Sequence, residues 1–565
     1  MAPHLLPETL DDGISSLYYR TTEATEHDIA IQVERLTNKQ RSHFDSIVDS
    51  VLNGNMNQSN LFFIDAPAGS GKTFLIDLII KSLRRNNNKV VLPVASTGIA
   101  SLLMETGTTA HKMFAIQITN EVNGQPSPNV ACSPNLTQRN IIKDADIIIW
   151  DEITMTPRSV VLGVDKLLRE EKQKNVPFGG CVVVFSGDFR QCLPVVLNSP
   201  SMSVVHERSF LCLPYIQEVK FLKLTENMRI MFAVRPEDRA EKQRQADALL
   251  KIGTGLDLIN GKGYVDLSLL GADLTQFFSM SASSQFLTQV YDQNIFQNVN
   301  HLNDPVKLDE LMKMYASTCV LTPKNVTVDE VNRKMLGRLP TSVEILKSEQ
   351  VIEGVTTEFI REWAPKVKIF KEAGMPDNEL RLKVGCPVIL LRNVSAGDGL
   401  VNGTRMIVTR IHDQTVAKWI TCRILTGKHA GNEVDLPRLL FRHKVNSNLP
   451  VEFTRKQFPI RVCFSMTIMK SQGQTFSGKV GLFLPADVFS HGQLYVALSR
   501  CTDMKNFRFC FNTRSRRARR EVVNMVCPNV TERLVQEADS EEYTNDSTFA
   551  FITFDTSIDT TFGSI

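Results

Sequence analysis

Residues 61–73 read LFFIDAPAGSGKT, and this stretch decides the fold of the chain. The run LFFID is short and almost wholly apolar, which is typical of a strand buried between layers of helices. The glycines at 69 and 71 allow a tight turn, and the apolar helical stretch FLIDLIIKSL follows directly. In a strand, turn and helix of this kind, backbone N–H groups and the helix N-terminus form a cradle for a phosphate chain.

The turn supplies the candidate nucleotide-binding residues Gly69, Ser70, Gly71, Lys72 and Thr73. Lys72 can reach the β- and γ-phosphates, and the Thr73 hydroxyl can bind Mg²⁺. The usual pattern has a further glycine at its start, where this chain has Ala66, at a strand exit that can tolerate a methyl group. A purely structural glycine turn is the alternative. The position between a strand and a helix favours a nucleoside triphosphate site with Mg²⁺.

More buried runs follow at VVLPVAST (90–97), DIIIWDE (146–152) and VVVFSGD (182–188). Each precedes a helical stretch, and this alternation predicts a parallel sheet between helices. A second, shorter series comprises STCVLTPKN (317–325), IRVCFSMTIMKSQG (460–473) and KVGLFLP (479–485). The predicted fold class is therefore α/β, with two parallel-sheet units. Within the second unit, CPVILLRNV and LVNGTRMIVTRI are separated by turn residues and indicate a β-rich insertion, with Asn402-Gly403-Thr404 at a hairpin.

The predicted domains, in chain order, are a flexible N-terminal arm (1–35), a first α/β unit with a small insertion (36–230), a helical linker region (231–316), a second α/β unit in two pieces (317–340 and 459–511), the β-rich insertion (341–458) and a basic, then acidic, flexible tail (512–565). The arm is polar and lacks helical periodicity. Thr37 is a candidate N-cap for the helix that follows the arm.

Composition excludes several classes of protein. Of the 565 residues, 42% are hydrophobic and 22% are charged, which is the balance of a folded chain. The sequence has no apolar run of about 18 residues and no secretory signal, so a membrane-spanning or secreted protein is not expected. Eleven cysteines without a CxxC pair predict reduced thiols in an intracellular protein. The net charge of +3 neither requires nor excludes a polyanionic partner.

Two further groups supply candidate catalytic residues. Asp151 and Glu152 end a buried run, where Asp151 can bind the metal through its shell and Glu152 can polarise water. An acidic helix N-cap is the alternative role for this aspartate. Gln191 follows another strand end and can contact the γ-phosphate, although an isolated glutamine in a loop is usually only solvated.

Nine blocks occur in a fixed order, namely Gln40, AGSGKT, VASTGIAS, TAHKMF, IIIWDE, SGDFRQCLPV, LTENMR, MTIMKSQGQTF and LYVALSR. In this order they closely resemble the petite-integration-frequency (Pif) helicases of superfamily 1B, especially the version carried by Helitron-type transposons. The resemblance covers about residues 36–511. It implies two RecA-like P-loop domains, 1A and 2A, an SH3-like 2B insertion, and an ATP-driven 5′→3′ DNA helicase.

The resemblance also assigns roles to individual residues. It implies that Gln40 reads adenine, that Gly473 belongs to the nucleotide-binding set, and that Arg229 and Arg500 are catalytic arginines from the two units. It further implies that single-stranded DNA is bound by Thr97, Gly98, His111, Lys470, Ser471 and Gln472. The chain departs from a full Helitron transposase, because none of its ten histidines forms a His-x-His pair.

The expected partners are single-stranded and forked DNA, with ATP and Mg²⁺ as cofactors, no membrane, and a monomeric motor. The resemblance implies work in DNA repair, recombination, replication or telomere maintenance, or a transposon origin. A catalytically decayed DNA-binding remnant is one alternative, and an RNA helicase or a protein-displacing translocase is another. The arginine run at 514–520 is consistent with nuclear import, with DNA binding or with a solvated surface. The nucleus is the expected location, and the mitochondrion is the alternative.

Overall fold

The computed structural model describes residues 24–54, 60–86, 89–117, 130–194, 202–233, 235–256, 263–271, 276–352, 356–372, 374–413, 418–443, 445, 449–511, 521–527 and 530. They form two α/β units and a β-rich insertion. Among these residues, no helix combines the length and the apolar content that crossing a bilayer requires.

The first unit contains a six-stranded parallel sheet, in the spatial order Thr108–Thr109, Val91–Ala95, Ile147–Asp151, Val182–Gly187, Leu61–Asp65 and Val219–Lys223. The four predicted runs form strands that are buried throughout. Because both faces of these strands are apolar, the sheet has a separate hydrophobic core on each face. The α-helices of this unit are Glu26–Glu34, Asn38–Asn53, Lys72–Asn86, Gly98–Ser101, Ala110–Met113, Leu136–Asp144, Arg158–Lys172, Met202–Glu207 and Met228–Ala233.

The predicted flexible arm is helical in part, so the prediction is wrong for residues 26–34. Thr25 caps the helix Glu26–Glu34 through a capping box with Asp28, and Ile29 packs into the core of the first unit. The helix has a weak apolar pattern, and capping and tertiary packing stabilise it instead. The next helix, Asn38–Asn53, is capped by Thr37, as the sequence predicts. Residues 1–23 lie outside the described residues.

The second unit contains a five-stranded parallel sheet, in the order Ser465–Thr467, Cys319–Thr322, Val480–Leu484, Phe507–Phe511 and Phe277–Phe278. Its α-helices are Ser283–Val290, Pro305–Ser317, Asn325–Arg338 and Gln493–Ser499. The edge strand Phe277–Phe278 and the first two of these helices lie in the predicted linker, so that linker is shorter than predicted. Phe286 and Leu311 are completely buried and attach this segment to the second unit.

The rest of the predicted linker contains the helix Arg239–Thr254 and the strand Tyr264–Asp266. This strand pairs antiparallel with Glu521–Val523, which lies in the predicted flexible tail. The tail prediction is therefore wrong at residues 521–523, because strand pairing over a long sequence separation leaves little local signal. The arginine run at 514–520 lies outside the described residues.

The insertion is β-rich, as predicted, and it also contains the helix Thr357–Ile369. Its strands are Glu344–Lys347, Glu349–Ile352, Glu379–Leu382, Pro387–Leu390, Arg405–Asp413, Lys418–Ile424, Glu433–Pro437, Leu439–His443, Phe453–Gln457 and Ile460–Val462. The last of these strands pairs antiparallel with Pro387–Leu390. The insertion therefore extends beyond the predicted boundary at 458, and the chain re-enters the parallel sheet only at Ser465.

Candidate active site

The phosphate loop connects the strand Leu61–Asp65 to the helix Lys72–Asn86. Gly69 and Gly71 have φ angles of 91° and 83°, in the region that favours glycine. A Cβ atom on Gly71 would lie 2.6 Å from Nε2 of Gln40. Ala66 is buried at the strand exit, and its backbone N–H donates to the Gly187 carbonyl at 3.1 Å. The methyl group of Ala66 is thus accommodated where the usual pattern has glycine.

Gln40 lies directly beneath this loop. Its Nε2 donates a hydrogen bond to the Ser70 carbonyl at 3.1 Å, and its Oε1 accepts from the backbone N–H of Thr37 at 3.2 Å. The side chain therefore caps its own helix and supports the phosphate loop. Its role in reading adenine stays a prediction.

Lys72 forms a buried charge cluster with the acidic pair. Its Nζ lies 2.6 Å from Oδ1 of Asp151 and 3.1 Å from Oε1 of Glu152. Burial alone would lower the pKa of Lys72, but the two carboxylates outweigh it and raise that pKa. Lys72 is therefore protonated, and the three groups that the sequence places at two strand ends meet in one site.

The carboxylates of Asp151 and Glu152 differ in how far their oxygens are engaged in hydrogen bonds. Oδ1 of Asp151 accepts from Lys72, from the Ser186 hydroxyl at 2.5 Å and from the Glu152 backbone N–H at 2.9 Å. Oε2 of Glu152 is buried and has no hydrogen-bond partner among the described residues. Glu152 also has a φ of 55°, a strained conformation of the kind that occurs at functional sites. Carboxylate and hydroxyl oxygens are ligands that Mg²⁺ prefers, and Asp151, Glu152 and Thr73 supply them, so the residues present fit this metal.

The helix-cap alternative for the acidic pair is not what the structure shows. Glu152 occupies the N-cap position of the short 3₁₀ helix Ile153–Met155, and its side chain makes no capping hydrogen bond. Asp151 is 3% exposed, and its Oδ1 is engaged inside the site. The metal and water-activating roles remain the predicted ones for these carboxylates.

Gln191 is buried rather than solvated, because it is only 6% exposed. Its Nε2 lies 3.4 Å from Oδ2 of Asp188, and its Oε1 has no partner among the described residues. Asp188 also binds Arg190, whose guanidinium reaches Asp65 at the end of the strand before the phosphate loop. An unpaired buried amide oxygen at this position is available to a ligand.

Sequence reasoning missed Arg190 and Tyr495. The Tyr495 hydroxyl belongs to the second unit and donates to Oδ2 of Asp188 at 2.9 Å. The sequence feature that could have indicated them is their position, since Arg190 adjoins Gln191 and Tyr495 lies on the helix that leads to Arg500. Neither position indicates by itself that the two residues meet.

The two predicted catalytic arginines approach the acidic pair from different units. The backbone N–H of Arg229 donates to the Gly69 carbonyl at 3.3 Å, and burial lowers the pKa of its guanidinium. Arg500 ends the helix Gln493–Ser499 and is 5% exposed. Burial lowers the pKa of Arg500, the Glu152 charge raises it, and the Arg229 charge lowers it. Arg500 therefore lies within electrostatic range of Glu152 and Arg229, two residues of the first unit.

Arg500 is also tied to its own unit. Its guanidinium donates to the Val496 and Gln474 carbonyls, each at 3.1 Å, and to the Ser499 hydroxyl at 2.8 Å. These bonds fix the arginine to the second unit. Any movement of that unit relative to the first therefore moves Arg500 relative to the acidic pair.

The residues predicted to bind DNA are only partly brought together. Thr97 caps the helix Gly98–Ser101. A Cβ atom on Gly98 would lie 3.0 Å from Cβ of Val401, so the first unit contacts the β-rich insertion at this point. His111 is exposed on the short helix Ala110–Met113. The structure groups Thr97 and Gly98 at a junction between units.

Within residues 470–473, Ser471 and Gln472 are more buried than contact with a DNA strand would require. Lys470 is exposed, but the Ser471 hydroxyl is fully buried and donates to the Ile468 carbonyl at 2.6 Å. Gln472 is 3% exposed, and its amide has no partner among the described residues. A buried hydroxyl bonded within its own turn is not displayed to a DNA phosphate. The side-chain contacts expected of Ser471 and Gln472 are therefore not presented at this surface.

A cavity of about 530 Å³ lies where the two units and the insertion meet. Its lining includes Ile99 and Leu103 of the first unit, Gly473 of the second, and Lys428 and His429 of the insertion. Gly473 thus lines this junction, and its predicted part in nucleotide binding stays a prediction.

Comparison with known families decides between the classes that this geometry allows. Residues 35–260 match the family model described as PIF1-like helicase, and residues 368–411 match the model of the DNA helicase Pif1 2B domain. The chain resembles the PIF1-like helicases. The second match covers the strand Pro387–Leu390 and most of the strand Arg405–Asp413, so the β-rich insertion resembles domain 2B.

Relatives extend the match along most of the chain. It is 26% identical over 456 residues to ATP-dependent DNA helicase Pif1 of Bdellovibrio bacteriovorus, covering 80% of this chain and 85% of the relative. It is 26% identical over 506 residues to ATP-dependent DNA helicase PIF1 of Danio rerio, covering 88% of this chain and 66% of that protein. The family and the enzyme class predicted from the sequence, an ATP-dependent helicase, are confirmed.

Solved structures confirm the fold. The crystal structure of Pif1 helicase from Bacteroides in complex with ADP-AlF3 and ssDNA superposes with a TM-score of 0.56 at 20% identity, covering 87% of this chain and 97% of that one. The predicted fold class, two parallel-sheet α/β units with a β-rich insertion, is therefore correct.

Proposed function

We propose that this PIF1-like helicase hydrolyses ATP with Mg²⁺, moves 5′→3′ along single-stranded DNA and unwinds forked duplexes. One observation carries the proposal. Lys72, Asp151 and Glu152 of the first unit form a charge cluster, and Arg500 of the second unit lies near enough for the Glu152 charge to affect its pKa. A site assembled from two units links hydrolysis to their relative movement.

The proposed nucleotide site uses the phosphate loop and the acidic pair. Backbone N–H groups of residues 69–73 hold the phosphates, and Lys72 neutralises their charge. Thr73 and Asp151 would hold Mg²⁺, which when bound offsets charge on the phosphate oxygens. Glu152 accepts the proton of the attacking water, and its unpaired Oε2 is an available acceptor for it.

The arginines would act mainly in the transition state. Charge develops on the transferring phosphoryl group, and guanidinium groups stabilise that charge when they are already in position. Arg229 is attached through its backbone to Gly69, whereas Arg500 is attached to the second unit. Closure of the cleft would therefore complete the site, and opening would disassemble it.

The single DNA strand would run across the cavity where the two units and the insertion meet, which we call the junction cavity. Gly98 and Gly473 bring backbone close to the junction, and Lys428 and His429, which line the cavity, supply positive charge or donors. Contacts of this kind follow a phosphate backbone rather than a base sequence. The named Bacteroides relative was crystallised with ssDNA, which favours DNA over RNA as the strand.

Strand-displacement assays on matched substrates test the direction of movement and whether the tracked strand is DNA or RNA. Duplexes carrying only a 5′ tail or only a 3′ tail would be offered to the purified protein, with the tail made of DNA or of RNA. We expect unwinding of the 5′-tailed DNA substrate with ATP and Mg²⁺, and none by Lys72→Ala. Preference for the 3′ tail would refute the polarity, and preference for the RNA tail would favour an RNA helicase. Hydrolysis without displacement of any duplex would indicate a protein-displacing translocase.

We propose further that the protein serves nuclear DNA maintenance, in replication, repair, recombination or at telomeres, either as a host gene or as a transposon-derived one. The support is the family and the intact candidate residues, since a decayed remnant would be expected to lose one of Lys72, Asp151, Glu152 or Arg500. Imaging the tagged full-length chain tests the location. A mitochondrial signal would redirect the proposal to that organelle.

A further inference from the structure

His491 connects three segments that are far apart in sequence. The ring is fully buried, its Nε2 donates to the Phe189 carbonyl at 2.7 Å, and its Nδ1 accepts from the backbone N–H of Cys527 at 2.8 Å. A backbone N–H can only donate, so Nδ1 is the acceptor and the proton is on Nε2. His491 therefore uses both ring nitrogens as the neutral imidazole.

The segment 521–527, which we call the C-terminal strap, is anchored to the second unit along its first half. Its strand Glu521–Val523 pairs with Tyr264–Asp266. The Asn524 amide then donates to the Ile252 carbonyl at 2.7 Å. The Met525 carbonyl accepts from the backbone N–H of Gly492 at 3.1 Å. These bonds hold the strap beside the start of the helix that leads to Arg500.

The end of the strap enters the other unit. Cys527 is 1% exposed and belongs to the same hydrophobic cluster as Phe189, in the core of the first unit. Val530, just beyond the strap, is fully buried in that cluster as well. Val522 packs instead in a core of the second unit. The strap therefore crosses from one motor unit to the other.

The crossing lies against the loop that carries Gln191. His491 binds the carbonyl of Phe189. A Cβ atom on the next residue, Gly492, would lie 2.5 Å from the Arg190 carbonyl oxygen and 2.6 Å from that of Gln191. Three consecutive carbonyls of the loop thus face His491 and Gly492. Hydrogen bonding and close packing together fix the backbone that presents the unpaired Gln191 amide oxygen.

We propose that His491 and the C-terminal strap position Gln191 for ATP hydrolysis by joining its loop to the helix of Arg500. His491 is a positioning residue, since it acts through the loop and not on the nucleotide. The inference rests on the proposed hydrolysis of ATP at the cleft, and it does not depend on the polarity or on the kind of strand. A misplacement of about 1 Å can cost on the order of 10²-fold in rate, so a loose loop should slow turnover without weakening ATP binding.

Two substitutions at His491 separate positioning from simple loss of packing. His491→Leu removes both hydrogen bonds, whereas the amide of His491→Gln has a donor and an acceptor that can replace them. We expect His491→Leu to lower the kcat of ATP hydrolysis, without nucleic acid, by about tenfold or more at unchanged ATP Kd. His491→Gln should retain kcat within about threefold.

His443 provides a matched control. It is equally buried and uses both ring nitrogens, with Nδ1 2.9 Å from Oε2 of Glu372 and Nε2 3.2 Å from the Leu449 carbonyl, but it lies in the insertion. His443→Leu should lower the melting temperature and leave basal kcat unchanged. An equal fall in kcat for His443→Leu and His491→Leu would show that His491 contributes only to the stability of the fold. That outcome would overturn the proposal.

Labelling of the Cys527 thiol measures directly whether the end of the strap stays buried in the first unit. Mass-mapped maleimide labelling should be slow at Cys527 in wild type and in His491→Gln, and at least about tenfold faster in His491→Leu. Folded His491→Leu protein with wild-type kcat, or with a still protected Cys527, would refute the inference. Absence of ATPase activity in the wild type would instead refute the proposed function, which keeps the two failures distinct.

Discussion

The hydroxyl of Tyr495 donates a hydrogen bond to Oδ2 of Asp188 at 2.9 Å, and this bond joins the two motor units inside the protein. Both residues are essentially unexposed. Tyr495 lies on the helix that leads to Arg500, while Asp188 begins the loop that carries Gln191. A movement of the loop that carries Gln191 can therefore be transmitted through this buried hydrogen bond to the helix that leads to Arg500.

Tyr495→Phe should weaken this connection without leaving a cavity. Asp188 keeps its ion pair with Arg190, so the loss should be that of one hydrogen bond to a charged group, about 1.5–3 kcal/mol of unfolding free energy. We expect a lower kcat for ATP hydrolysis with little change in ATP Kd. Chemical denaturation and steady-state ATPase assays measure the two effects.

Tyr315→Phe is the matched control for this substitution. The Tyr315 hydroxyl is buried in the second unit and has no hydrogen-bond partner among the described residues. Its removal should leave stability and kcat nearly unchanged or slightly improve stability. Equal losses from both tyrosine substitutions would show that the bond to Asp188 has no special part in coupling.

Lys72→Ala should abolish ATP turnover and leave single-strand binding largely intact, because the lysine neutralises phosphate charge and lies away from the junction cavity. It should also cost about 3 kcal/mol of unfolding free energy, since Asp151 and Glu152 lose a buried cation. ATPase rates, fluorescence anisotropy on an oligonucleotide and denaturation test these effects.

Lys81→Ala is the control for Lys72→Ala, because Lys81 lies on the same helix and pairs with Asp77. Wild-type hydrolysis by Lys72→Ala would refute the phosphate-loop assignment.

Stability should fall in mildly acidic solution because of His491. Burial lowers the pKa of its imidazole, while the bond to the Phe189 carbonyl and the charge of Asp188 partly oppose that shift. An unfolded histidine has a pKa of about 6.5, so below that pH the unfolded chain binds the proton more readily than the folded one. Stability is thus complete above about pH 6.5 and falls as pH drops towards the folded pKa, by at most about 1.4 kcal/mol per pH unit.

His491→Gln isolates this contribution from those of other buried groups, such as His43, whose pKa burial also lowers. Unfolding free energies of wild type and His491→Gln would be compared between pH 5 and pH 7.5. We expect the difference between the two proteins to change in favour of the variant as the pH falls. A difference that does not vary with pH would show that His491 titrates alike in the folded and unfolded chains.

The strands and the acidic pair could be predicted because their signals are local. A buried parallel strand such as Leu61–Asp65 is an apolar run, and Asp151 lies where such a run ends. The helix Glu26–Glu34 was missed because capping and docking stabilise it more than its apolar pattern does. The bonds from Tyr495 to Asp188 and from His491 to Phe189 join residues 307 and 302 positions apart, and no local pattern records such pairs.

Arg500→Ala tests whether the two units work as one motor. The arginine is attached to the second unit through the Gln474 and Val496 carbonyls, yet its pKa responds to the charge of Glu152 in the first. Because ATP is held mainly by the phosphate loop, nucleotide Kd should change little. DNA-stimulated kcat should fall on the order of 10³-fold, because the transition state loses a cation that only closure delivers. Unwinding should fail together with hydrolysis.

The control for this experiment is Arg508→Ala, which removes an arginine of the second unit that binds the Lys505 carbonyl at 2.9 Å, outside the cleft. It should leave kcat and Kd unchanged. Melting temperatures of both variants show whether Arg500→Ala still folds, since its guanidinium also stabilises the end of its helix. A folded Arg500→Ala protein with near-normal kcat would show that Arg500 is structural, and the site would then belong to the first unit alone.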